Sequence, residues 1–268
     1  MKKISIIVVT LIALAFVGCG GTKGAKDKAS ADSVRIYEQS LIEESIKMHL
    51  DSLAAEIGKL KQLPFLQTDA KGVVKLSKQE LQVKPSFLLS PSSAGNAVTL
   101  AEKYRLLSAL VVDRRVARLY EMPTTSYDQS IKKLMAEISD PAFAEVEDDD
   151  NLSSALGELY NAMDKNGRIN YFWQMAAASL IEQLFVITQN SEKFLAALDD
   201  ETSANCTFRI VLIMDALDRL SEYDPDIVPI AEALEPLEMI NATTVSDLTV
   251  QIEEAREQIA DMRKSLFQ

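Results

Sequence analysis

Few side chains in this 268-residue chain combine a type and a spacing that could do chemistry. Cys19 and Cys206 are its two cysteines. Cys19 is a site for covalent modification, and Cys206 sits in an apolar run where it reads as a small buried hydrophobe. His49, the single histidine, has no second ligand motif beside it and reads as structural rather than as a metal ligand or base. Arg114, Arg115 and Arg118 make a basic stripe, with Arg114 and Arg118 four apart and so on one helix face. Guanidinium groups placed that way can clamp a carboxylate or phosphate in bidentate fashion, or hold intramolecular ion pairs. Tyr171, Phe172 and Trp173 open the most apolar stretch, where they either line a ligand pocket or fill the core. Glu145, Glu147, Asp148, Asp149 and Asp150 could take calcium, or form a solvated loop ahead of a helix starting at Asn151. The string DKNGRI at 164–169 looks like the middle of an EF-hand loop. With Gly167 as its turn glycine, however, the first and last ligand positions fall on Ala162 and Trp173, and neither is an acid. Gly167 therefore reads as a left-handed helix C-cap.

The stretch Phe16-Val17-Gly18-Cys19 closes an N-terminal segment with a charged start at Lys2 and Lys3 and an apolar run from 4 to 17. That run is short for a membrane span, which needs about 20 residues, and has the form of a secretory signal. A small residue directly before a cysteine resembles the lipobox of bacterial lipoproteins, with Phe16 standing where leucine is usual. The resemblance implies cleavage after Gly18 and lipidation of Cys19, hence attachment to a membrane without a spanning helix. Gly20 in place of aspartate implies the outer membrane, and the absence of an acidic cluster directly behind Cys19 implies its periplasmic face. Residues 19–32, with three glycines and no aromatic, read as a flexible tether. The expected organisation is a signal peptide at 1–18, this tether, and a single all-helical domain at 33–268.

The formal charge of -12 becomes -14 once the two lysines of the signal are gone. So acidic a protein repels phosphate backbones, which excludes nucleic acid as a partner. Charge will not hold it on anionic lipid either. With Cys19 acylated, no intramolecular disulfide is possible, so stability must come from packing of the 47% of residues that are apolar.

The elements follow from helical periodicity. Ile42, Ile46, Leu50, Leu53, Ile57 and Leu60 form one stripe in a helix over 33–63, ended by Pro64. Residues 64–96 carry prolines, glycines and serines. They read as a long loop with a capping box at Ser77 and Glu80, tacked to the core by Phe87, Leu88 and Leu89. Thr99 and Glu102 cap a helix to about residue 121. A second helix opens at Thr125 and Asp128 and ends before Pro141, making an antiparallel hairpin with the first. A short helix closes near Gly167, and 169–189 is apolar around most of its circumference. Leu156, Gly157, Tyr160, Trp173 and Ala176 resemble part of one tetratricopeptide repeat, without the proline expected near Ile181 or a recurrence at about 34 residues. A short helix at 191–198 precedes a second buried helix at 202–223, with Phe208, Ile210, Val211, Ile213, Met214, Leu217 and Leu220 as its apolar positions. Within it, Arg209 and Asp215 need partners if buried. Asp224-Pro225 reads as an N-cap followed by proline at the first helical position, Pro229 and Pro236 keep the segment that follows short or irregular, and 245–266 forms one last helix with a narrow apolar seam. The fold class is all-α: an irregular bundle of about eight or nine helices around two buried central ones, 169–189 and 202–223.

No nucleophile elbow, phosphate-binding glycine loop, paired histidines or cysteine cluster is present, and no metal or other cofactor is expected. Carboxylates such as Glu182 could meet only in three dimensions. The favoured expectation is a lipid-anchored, non-enzymatic envelope module that binds a protein partner through 64–96 or the acidic run. Beside it stands a carrier or sensor of a small amphiphile lined by 169–189. The chain as a whole loosely resembles all-helical lipoproteins of bacterial envelopes.

Overall fold

A computed structural model describes residues 26–60, 63, 74–144 and 156–267, with side chains from residue 40 onward. Cys19 and the acidic run at 145–150 lie outside the described residues. The chain divides into two compact units, 1–45 and 46–268.

Among the described residues there are ten α-helices and no strand. The first, α1 (Lys26–Ile57), begins seven residues before the expected start at 33, so the end of the expected tether is helical. No glycine or proline lies between Gly24 and Gly58, and Ala29 and Ala31 are strong helix formers. The helix ends at Ile57, before Gly58, rather than at residue 63. Its apolar stripe is buried only from its second half: Ile46 is partly buried, and Leu50, Leu53 and Ile57 are buried, while Ile42 is 49% exposed.

Caps explain most of the boundaries that follow. The Thr99 hydroxyl accepts from Glu102 N at 3.1 Å, and Glu102 Oε2 accepts from Thr99 N at 2.9 Å, which opens α2 (Leu100–Leu119). The same reciprocal pair forms at Ser77 and Glu80 but opens only the 3₁₀ turn Glu80–Gln82. Next comes α3 (Thr125–Ile138). Ion pairs from Lys103 to Glu137 and from Arg114 to Asp128 join opposite ends of α2 and α3, as an antiparallel hairpin requires. Then α4 (Leu156–Lys165) stops in a Schellman turn. There Arg168 N donates to Met163 O, Gly167 N donates to Asp164 O, and Gly167 has φ +66°. The EF-hand likeness of this string is thus a helix terminus.

The long helix α5 (Ile169–Gln189) follows, then α6 (Ser191–Leu195) and α7 (Asp200–Ser221). Asp224 does not cap a helix; it turns the chain, accepting from Asp226 N at 3.0 Å, and α8 (Val228–Leu234) begins later with Pro229 in its first turn. The last expected helix is two, α9 (Val245–Glu254) and α10 (Arg256–Phe267), broken at Ala255. Its seam survives the break: Leu248, Ile252, Ala255, Ile259, Met262 and Leu266 are all buried.

At the centre α2 lies against α5. On this pair rest α3 against α2, α4 and α7 against α5, and α10 against both. One central helix, α5, is the expected one; the other is α2, not 202–223. In α7 the positions Cys206, Ile210, Ile213, Leu217 and Leu220 step by three and four and face inward. Phe208 and Val211 fall off that stripe and are 43% and 53% exposed, against expectation.

If this placement is right, Leu180→Ala in α5 costs about 2–5 kcal/mol of unfolding free energy, the usual loss at a packed core leucine. Phe208→Ala costs less than about 0.5 kcal/mol, as surface substitutions do. Urea titration followed by circular dichroism at 222 nm measures both; equal losses would contradict the orientation of α7.

Candidate functional site

Three groups of side chains could carry chemistry, and the structure treats them differently. The first is one that only three dimensions could assemble. Asp113 on α2 and Glu182 on α5 are both fully buried and adjacent at the seam between the helices. Arg263 reaches in from α10. Its Nε and Nη2 donate to the two Glu182 oxygens at 2.8 Å each, and its guanidinium carbon lies 4.0 Å above the Phe185 ring. Burial, and then the Glu182 charge beside it, push the Asp113 carboxyl well above the usual carboxylate range. That direction favours the protonated form of Asp113, and its buried Oδ1 has no hydrogen-bond partner in the structure.

This cluster also fastens the segment ahead of α2. Phe87 O accepts from Arg263 Nη2 at 3.0 Å, Leu89 N donates to Asp113 Oδ2 at 2.7 Å, and Tyr127 OH donates to Leu89 O at 2.8 Å. Phe87, Leu88 and Leu89 pack on the core as expected. Adjacent buried carboxyl groups resemble an acid–base dyad, but here both are closed off from solvent and one is already paired with an arginine. Their evident work is structural.

The second group is the arginine stripe. Arg114 and Arg118 do share a face, and both approach the Asp128 carboxylate, at 3.1 and 3.9 Å. Arg114 is 2% exposed, however, and Arg115 is 6% exposed. Helix α2 lies too deep for its arginines to form an open clamp, and only Arg118, 44% exposed, is reachable. Within the chain, Arg114 and Arg118 thus serve as ion-pair partners of Asp128.

The third group is the aromatic trio, which the structure separates. Tyr171 stacks on Tyr104 at 4.8 Å and is not among the residues lining the cleft described next. Trp173 is fully buried, edge-on to Phe172 at 5.2 Å and near Tyr160 at 6.2 Å. Phe172 alone of the three lines a cleft. That cleft lies between the end of α1 and helices α2, α4, α5 and α7, and its cavity is small, about 30 Å³. Ile57, Val111, Leu159, Phe172, Met175 and Ile213 form apolar walls, and Ser108, Ser179, Gln183 and Arg209 supply the polar groups.

The polar groups of the cleft are deeply set. Arg209 is 4% exposed, and its Nη2 makes a long 3.5 Å contact with Leu60 O. Burial lowers the guanidinium below its usual value, a sign that the surroundings resist its charge. Gln183, 3% exposed, donates from Nε2 to Ser179 Oγ at 2.8 Å, and its Oε1 has no hydrogen-bond partner. Sequence reasoning flagged Arg209 only as a residue needing a partner and missed Ser179 and Gln183. Their signal was two polar residues four apart inside an apolar helix, which places them on one face.

The remaining candidates are tied up. His49 Nε2 sits 2.8 Å from Asp215 Oδ2, linking α1 to α7. Cys206 is buried, and burial pushes its thiol up to about 11, so it is not a reactive thiolate at neutral pH. Among the described residues, no group of three or more His, Cys, Asp or Glu side chains is placed to hold a metal ion. The chain matches no protein-family model, no curated protein and no solved structure.

Two outcomes test these assignments. Unfolded, Asp113 loses its proton near its ordinary value of 3.8; folded, it keeps it to higher pH. Its contribution to stability is therefore complete below that value and falls as pH rises toward the folded pKa, by up to about 1.4 kcal/mol per pH unit. The neutral Asp113→Asn removes this slope, so denaturation midpoints of variant and wild type should diverge in the variant's favour from pH 5 to 8. Parallel curves would mean that Asp113 is ionised in the folded chain. Separately, Arg114→Ala should cost about 2 kcal/mol or more as a buried partner of Asp128, and Arg118→Ala less than about 1 kcal/mol, read as melting temperatures.

Proposed function

We propose that the chain is a lipid-anchored, non-enzymatic helical module of a bacterial cell envelope that binds a protein partner. The outer face of α7 carries this reading, since Phe208 and Val211, three residues apart on one helix face, are 43% and 53% exposed there. A carrier of a small amphiphile is less well supported, because the cavity of the cleft, about 30 Å³, lies far below the range of about 300–1,000 Å³ usual for small-molecule sites.

The anchor in this reading is Cys19 with its lipobox-like approach. Each acyl methylene in the bilayer contributes about 0.8 kcal/mol, and more than one chain is needed for lasting attachment. Among the described residues no helix is long and apolar enough to cross a membrane. Outer-membrane attachment facing the periplasm goes with Gly20 after the cysteine. A non-enzymatic role is supported by the closure of the Asp113–Glu182 pair beneath Arg263.

Mass spectrometry of the protein taken from the envelope of its own cells tests both halves. The N-terminal peptide should begin at Cys19 and carry acyl chains, an addition lost in Cys19→Ser. The intact folded protein should co-purify with a protein partner that is lost when Phe208→Ser and Val211→Ser are combined. An unmodified Cys19 would remove the anchor, and a partner retained by the double variant would remove the α7 face as the binding surface.

A further inference from the structure

The outer face of α7 changes character along its length. Ala204, Phe208, Val211, Asp215, Asp218 and Glu222 follow one another at alternating steps of four and three, the spacing of a heptad seam. All six are half-buried or exposed, and the seam they form is about 27 Å long. Its first half is apolar and its second half is acidic. Arg219 reaches Glu222 at 3.4 Å and Asp215 at 3.9 Å, and His49 meets Asp215 at 2.8 Å, which offsets part of that charge. The 3₁₀ turn Glu235–Met239 packs beside α7 and brings Glu238 to the acidic end. Burial, and then the charges of Asp215 and Glu238, hold the Asp218 carboxyl above its usual value. Residues 199–247 contain no lysine and no histidine, and of their two arginines Arg209 is buried. The exposed apolar pair thus continues into a surface of one sign.

We propose that this seam docks a helix of a partner protein, apolar at one end and rich in lysine or arginine at the other. The proposal rests on the α7 reading above and names the chemical class of its partner. A helix laid along α7 sets its apolar residues against Phe208 and Val211 and its cations against Asp215, Asp218 and Glu222. Ala204, with only a methyl group, leaves room for a bulky side chain at the apolar end. Charge decides between this occupant and the others. A second copy is disfavoured in either sense: parallel α7 helices set carboxylates against carboxylates, and antiparallel ones set Phe208 and Val211 against Asp218 and Asp215. An anionic lipid surface is repelled by the same carboxylates.

The test uses the full-length protein in nanodiscs of zwitterionic phospholipid, whose surface offers a cationic peptide no net charge. The probes are labelled helical peptides of about three heptads, with leucine at the seam positions of one half and lysine at those of the other, in either order. Control peptides carry glutamate in place of lysine, and fluorescence anisotropy reads binding. A lysine peptide is expected to bind saturably, and its glutamate counterpart about tenfold or more weakly. Affinity for the lysine peptide should fall about tenfold or more in Phe208→Ser/Val211→Ser. It should fall less in Asp218→Asn/Glu222→Gln, which should also flatten the loss of affinity with added salt. Both double variants change exposed positions, so circular dichroism should stay wild-type. A glutamate peptide binding as tightly as the lysine one would overturn the basic partner and leave the α7 face standing. So would a protein that binds no peptide but sediments as a dimer broken by Phe208→Ser/Val211→Ser, which would make the occupant a second copy. A monomer that binds no peptide would overturn the basic helix alone, because the partner lost with Phe208 and Val211 is read separately by co-purification. Lysine-peptide binding that neither double variant weakens would overturn the seam itself.

Discussion

The fold depends on how two carboxyl groups survive in its centre. Helices α2 and α5 approach along their length, and the seam between them holds Asp113 and Glu182, both fully buried. Two adjacent ionised carboxylates in so apolar a place are untenable. Burial and the neighbouring charge favour the protonated form of Asp113, and Glu182 takes a bidentate arginine from α10. That arrangement constrains much else. It requires α10 to lie across both central helices, and it requires residues 87–89 to bring backbone groups to Asp113 and Arg263. A buried pair of this kind contributes little net stability over an apolar replacement, but losing one partner strands a charge at a cost of several kcal/mol. It therefore fixes which packing is acceptable more than how strongly the core holds.

The second constraint is the uneven burial of polar groups. At the seam Arg263 pairs with Glu182, yet Asp113 Oδ1 has no hydrogen-bond partner, and neither does the Gln183 carbonyl oxygen one helix face away. Glu182 and Gln183 point to different sides of α5 because successive residues on a helix lie about 100° apart.

The all-α class was legible because the apolar steps of three and four along α3, α5 and α9–α10 survive as buried faces almost residue for residue. The capping box at Thr99 and the left-handed Gly167 were legible for the same local reason, since both depend on a few adjacent residues. The central role of α2 was not. Asp113, Arg114 and Arg115 interrupt its apolar run and mimic a solvated face, and only long-range partners such as Arg263 and Asp128 make their burial tolerable. Phe208 and Val211 misled in the opposite sense, because apolar residues on an exposed face look like core when the stripe is drawn too wide. The cleft was half legible. The choice of α5 as a lining helix agrees with the structure, but its exposed face begins at Phe172 and continues through Met175, Ala176, Ser179 and Gln183, not through Tyr171 and Trp173.

Arg263 lies 81 residues beyond the carboxylate it neutralises. A ribosome delivers the chain from its N-terminus, so α2 and α5 are made well before their counter-cation. At some tens of residues every few seconds, the interval is seconds long. Throughout it, closing α2 onto α5 would bury Glu182 with no positive partner, which the low-dielectric seam penalises heavily. The nascent chain thus has a built-in reason to remain open until α10 arrives, and the last helix to appear acts as the key that lets the centre shut.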